Sequence, residues 1–103
     1  MNEARADFSF CVQGETLYAM LGMANNTLIN TIECINARKL TNGEQASWCA
    51  FNLTSGQITP RRFSLVAPID RNYIAIMGGS SDAGNLGDVI VLNTHTRMAS
   101  TIV

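Results

Sequence analysis

The chain has 103 residues, of which 47% are hydrophobic and 15% charged, and a net charge of −1. That balance suits a chain that folds and argues against disorder. Arg61-Arg62 and Arg38-Lys39 are the only adjacent basic pairs, too little positive charge for a nucleic-acid face.

In chain order, the segments read almost entirely as strands. Phe8 to Gln13 is aromatic and β-branched, and Gly14-Glu15 follows as a tight turn. Leu17 to Leu21 is a short continuous apolar run that Gly22 ends, a pattern expected of a strand buried on both faces. Ala24 to Thr27 reads as a loop, and Ile29 to Asn36 as a third strand in which Ile32 and Cys34 alternate with Glu33. Ala37 to Glu44 is a polar connection with room for one helical turn at most, and Asn42-Gly43 within it signals a turn. Gln45 to Leu53 is expected to be a fourth strand carrying Trp48 and Phe51.

After Thr54-Ser55-Gly56-Gln57 the order repeats. Phe63 to Ile69, Tyr73 to Met77, Asp88 to Asn93 and Arg97 to Val103 read as four more strands. Between them lie Asp70-Arg71-Asn72, the loop Ser80 to Gly87, and Thr94-His95-Thr96. Strands joined by such short connections make antiparallel meanders. Arg5 recurs as Arg61, a period of about 56 residues, and Leu17 to Met23 recurs as Tyr73 to Gly79. Thr31 to Asn36 recurs as Asp88 to Asn93, one residue further on. Residues 1–53 thus form one unit and 54–103 a second. Units of this size have little interior of their own, so the chain is not expected to be a self-sufficient propeller or solenoid.

Cys11, Cys34 and Cys49 are an odd set without CxxC spacing, which favours a reducing, cytoplasmic compartment over a secreted disulfide scaffold. Asn25-Asn26-Thr27 and Asn52-Leu53-Thr54 match the glycosylation pattern, but such short matches arise by chance. The polar start, Met1 to Asp7, has no apolar region of the kind a signal peptide needs, and no apolar run approaches the length of a membrane span.

The two units resemble the kelch repeat. That family carries an Arg near the first strand, a large hydrophobe or Tyr leading to Gly-Gly at the end of the second, a third strand ending in Asp or Asn, and a Trp in the fourth. Here the second unit has Pro60-Arg61-Arg62-Phe63, then Tyr73 to Gly79, then Asp88 to Asn93. The first has Arg5, Leu17 to Gly22, Asn30 to Asn36 and Trp48. Met23 stands where the second glycine is expected, and the second unit has Met98 near the place of the Trp. The resemblance spans almost the whole chain. It implies an all-β fold: two four-stranded antiparallel blades of a kelch-type β-propeller, incomplete as a single chain, since roughly four to eight blades close a ring.

The resemblance also implies which loops would bind a partner. Those entering the first strand and those joining second to third strands often line the binding face in kelch propellers, which points to Arg62, Asn25, Asn26, Ser80, Ser81, Asp82 and Asn85. Arg61 and Arg5 read instead as holding neighbouring loops within each blade. Trp48, Tyr18 and Tyr73 read as core. Ser80 to Asn85 lacks the Lys of a P-loop and the carboxylates of a calcium loop. His95 is a lone turn histidine, and no metal or cofactor set is visible. The expectation is a non-enzymatic protein-interaction module or scaffold, its remaining blades coming from the rest of a longer chain or from other copies. Alternatives are a structural component of a larger complex, such as a cytoskeletal one, and a fragment of a kelch-like enzyme. An oxidase of that kind converges Tyr, His and Cys on copper, which one His cannot supply here.

Overall fold

The computed structural model describes all 103 residues. β1 (Ser9–Gln13) and β2 (Thr16–Met20) pair across the Gly14-Glu15 turn, with Gly14 at φ 59°. A small hairpin of β3 (Met23–Ala24) and β4 (Thr27–Leu28) follows, then β5 (Ile32–Asn36). The helix α1 (Ala37–Thr41) comes next, its first turn capped by the Asn36 side chain accepting from the Lys39 amide, and then β6 (Cys49–Ala50). β7 (Leu65–Pro68), β8 (Tyr73–Ser81), β9 (Gly84–Asn93) and β10 (Met98–Thr101) complete the chain. β1-β2-β5-β6 and β7-β8-β9-β10 are two four-stranded antiparallel sheets, each a simple meander. No helix is long and apolar enough to cross a membrane.

The sheets stack face to face, with β1 against β7. From the first come Cys11, Tyr18, Met20 and Ile32; from the second come Ile74, Ile76, Ile90, Leu92 and Ala99. Leu21, Phe51 and Ile58 complete this one core, and Tyr18 meets Phe51 edge to face at 5.6 Å. Polar contacts also tie the layers, among them those of Ser9, Gln13 and Thr94. Ser9 Oγ donates to the Ser64 carbonyl at 2.6 Å and Gln13 Nε2 to the Asp70 carbonyl at 2.9 Å. Thr94 Oγ1 donates to Gln13 Oε1 at 2.7 Å.

Four sequence expectations are corrected. The fourth strand of the first sheet shrinks to Cys49–Ala50, because Gln45 and Ser47 lie exposed at the sheet edge and Phe51 turns into the core. The loop at Ala24 to Thr27 is a hairpin turned by Asn25 and Asn26, at φ 51° and 62°, a left-handed pair that Asn tolerates. Ser80 to Gly87 is mostly ladder, since β8 and β9 continue past a register shift between Met77 and Gly79. Of the three residues read as core, only Tyr18 is buried; Trp48 is half-buried and Tyr73 lies on an uncovered face.

The internal repeat also has a different register at the second strand. Asp7 and Phe63 are equivalent, at φ 54° and 60°. Leu21 then matches Gly78, at φ 65° and 64°, and Gly22 matches Gly79, at φ 94° and 105°. A Cβ on Gly22 would stand 2.8 Å from Phe8 Cα, and one on Gly79 2.7 Å from the Arg62 carbonyl oxygen. The β7–β8 turn, Asp70-Arg71-Asn72, is one residue longer than Gly14-Glu15, which moves the spacing on by one. The residue that departs from the glycine pair is therefore Leu21, a side chain held in left-handed backbone, and not Met23.

This register fixes how the sheets relate. Ser9 is equivalent to Leu65, and Tyr18 to Ala75. Ser9 and Tyr18 face the second sheet, whereas Leu65 and Ala75 sit on the side of the second sheet turned away from the first. The sheets thus stack head to tail, the front of one on the back of the next. In such a heterologous relation two sheets alone leave one unmatched face at each end, and only further units can close it into a ring. The pair leaves a back face with Phe10 67% and Val12 50% exposed, and a front face with Leu65 66% and Ile102 62% exposed.

Candidate functional site

The predicted binding residues fall at one end of the two sheets, where β2 and β8 run out. Two arginine anchors build that end. Arg61 is wholly buried. Its fork meets Asp88, Nη1 to Oδ1 at 2.6 Å and Nη2 to Oδ2 at 2.9 Å; Nη1 also donates to the Gly78 carbonyl and Nε to that of Thr59. The bidentate guanidinium holds the Asp88 carboxyl below its ordinary value, outweighing its partial burial. Arg5 does the same work in the first sheet. Its Nη1 donates to the Leu21 and Thr31 carbonyls, and its Nη2 pairs with Glu33 at 2.9 Å and Glu3 at 3.4 Å. Burial pushes the Glu33 carboxyl up, but the Asn2 amide, Arg5 and the Glu3 amide outweigh it and hold it low. Arg5 Nε, unlike Arg61 Nε, has no partner. Both arginines therefore act within their sheets, as the sequence suggested.

Arg62 points the other way. Its backbone bridges Ser80, amide to carbonyl in both directions at 3.0 and 2.9 Å. Its guanidinium stacks on Phe63 at 4.9 Å, donates to Met23 Sδ at 3.2 Å and lies 3.4 Å from Asp7 Oδ2. Arg62 thus joins the entry to β7, the end of β8 and the β3–β4 hairpin. The equivalent bridge in the first sheet is Ala6 to Met23.

The other predicted residues spread over two hairpins. Asn25 and Asn26 form the exposed β3–β4 tip. Ser81 and Asp82 stand at the β8–β9 tip, where Ser81 Oγ donates to the Gly84 carbonyl and accepts from the Ala83 amide. Ser80 and Asn85 are ladder partners just below. Arg62 and Ser80 are brought together; no hydrogen bond joins the two tips. A groove of about 410 Å³, lined by Ala4, Arg5, Ala6, Met23, Asn25 and Asn26, runs beside the first tip.

Sequence reasoning missed Asp7, Met23 and Phe63. Their signal was positional: Asp7 follows Arg5-Ala6 as Phe63 follows Arg61-Arg62. The assembled end offers amide and hydroxyl groups, one half-exposed guanidinium and an exposed aromatic ring, a set suited to recognising a polypeptide surface. His95 lies at the far end of β9, in a turn built on Asn93 Oδ1. No family model matches the chain, and no curated protein is similar to it.

Proposed function

We propose that the chain supplies two kelch-type blades of a larger β-propeller and serves as a cytoplasmic protein–protein interaction module or scaffold. Partners dock on the end carrying Arg62, the Asn25-Asn26 tip and the Ser80-to-Asn85 hairpin. The observation that supports this most is the head-to-tail stacking. Propeller blades are related by rotation about a channel, so equivalent residues face the same way around the ring. Ser9 with Leu65, and Tyr18 with Ala75, follow that rule here. The remaining blades come from the rest of a longer chain or from other copies.

Photo-crosslinking tests the docking end. Crosslinking residues at positions 26 and 82 should trap the same partner in cell extract, and one at position 95, on the opposite end, should trap none. Equal trapping at all three positions would overturn the assignment of the docking end. A second reading, a structural component of a larger complex, is favoured by the exposed apolar faces around Phe10 and Leu65. In that case residues at positions 10 and 65 would crosslink to other chains and positions 26 and 82 would not.

A further inference from the structure

One row of residues crosses the first sheet on its core side: Cys11 on β1, Tyr18 on β2, Cys34 on β5 and Cys49 on β6. Cys34 and Cys49 are direct partners in the antiparallel register. Residues so opposed have Cα atoms about 4.5–5.5 Å apart, inside the roughly 4.4–6.8 Å that a disulfide spans. Cys11 lies two strands from Cys34, about 10 Å away at ordinary strand spacing and beyond bonding reach. All three are free thiols.

The pair is also accessible as a unit. Cys49 is exposed and Cys34 half-buried, and both line a groove of about 270 Å³ that includes Thr16, Asn36 and Lys39. The Lys39 ammonium would attract the carboxylates of a peptide disulfide, while burial, and then the neighbouring Cys49, push the Cys34 thiol up. Cys11 is closed off, its thiol pushed up to about 11 by burial.

We propose that Cys34 and Cys49 form a dithiol site that a small-molecule disulfide of the glutathione class oxidises to a cross-strand bond, fastening the two-residue edge strand β6 to β5. Cys49, as thiolate, attacks one sulfur of glutathione disulfide. A Cys49–glutathione bond forms, the glutathione S–S bond breaks, and one glutathione thiolate leaves. The Cys34 thiolate then attacks the Cys49 sulfur, forming the Cys34–Cys49 bond and expelling the second glutathione. The protein loses two electrons and two protons, and one disulfide is reduced to two thiols.

The test incubates the purified chain in glutathione buffers of rising oxidised fraction, then counts thiols in denaturant and maps peptides by mass spectrometry. The three reactive thiols should fall to one, with a linked Cys34–Cys49 peptide lighter by two hydrogens and restored by dithiothreitol. Cys34→Ser should stop at a stable glutathione adduct on Cys49, and Cys11→Ser should form the bond as the parent does. Three thiols persisting, a mixed disulfide in the unsubstituted chain, or a bond to Cys11 would each overturn the proposal. If Cys34→Ser does not fold, the parent and Cys11→Ser still decide it.

Discussion

The two sheets solve the same problem at the end of their second strand with different residues. In the second sheet the left-handed step falls on Gly78-Gly79, which carry it without steric cost. In the first it falls on Leu21-Gly22, where a fully buried leucine is forced to φ 65°. The arginine anchors differ in parallel. Arg61 places its guanidinium on one carboxylate and two carbonyls with no donor group idle, while Arg5 divides its contacts between Glu3, Glu33 and two carbonyls and leaves Nε unpaired. The second sheet is the closer fit to its repeat pattern. The first holds the same geometry under strain, offset by the burial of Leu21 in the core.

The largest effect should come from breaking the Arg61 pair. Asp88→Ala strands a buried guanidinium, and chemical denaturation should show a loss of about 3–5 kcal/mol. Glu33→Ala should cost less, because Arg5 keeps Glu3 and two carbonyls; equal losses would mean that the two anchors are not distinguished as described. Next comes the glycine step. Gly79→Ala brings a Cβ to 2.7 Å from a backbone oxygen at φ 105° and should cost more than about 2 kcal/mol. Gly78→Ala meets only the Leu86 carbonyl, at 3.2 Å, and should cost about 1–2 kcal/mol from its left-handed backbone.

Leu21→Gly sharpens the contrast. It removes a core side chain worth about 2–5 kcal/mol and relieves about 1–2 kcal/mol of left-handed backbone, so thermal melts should fall by less than for a typical core truncation such as Ile76→Ala. A smaller effect is acid sensitivity. Asp88 and Glu33 have depressed folded values, so their stabilisation is complete above the unfolded carboxylate range, near pH 4, and is lost as pH falls through the folded values. Asp88→Asn should flatten the denaturation profile in that range. The smallest effect on stability is at Arg62, whose half-exposed ion pair is worth about 0–1 kcal/mol. Arg62→Ala should leave the melt nearly unchanged while weakening partner capture.

Much of the architecture was legible. Short apolar runs punctuated by Gly14, Gly22 and Asp70-Arg71-Asn72 marked four strands per unit, and the third-strand correspondence of Thr31 to Asp88 agrees with the ladders. The second-strand register was not legible, because matching Gly22-Met23 to Gly78-Gly79 by position overlooks the extra turn residue. Backbone sign, carried by Leu21, is invisible in composition. The β3–β4 hairpin escaped notice since Asn25-Asn26 serves a loop and a tight turn equally well. Within the candidate site, Arg62 and its neighbours were named from resemblance. Its pairing with Ser80 and its contact with Met23 are long-range consequences of stacking that no local pattern encodes.

Head-to-tail stacking leaves two unlike apolar faces to be covered. Size-exclusion chromatography with light scattering on the purified chain tests it most directly. Association through those faces is expected, as a discrete ring of copies or as polydisperse multimers, and Leu65→Asp should reduce it. A monodisperse, fully folded monomer would contradict it.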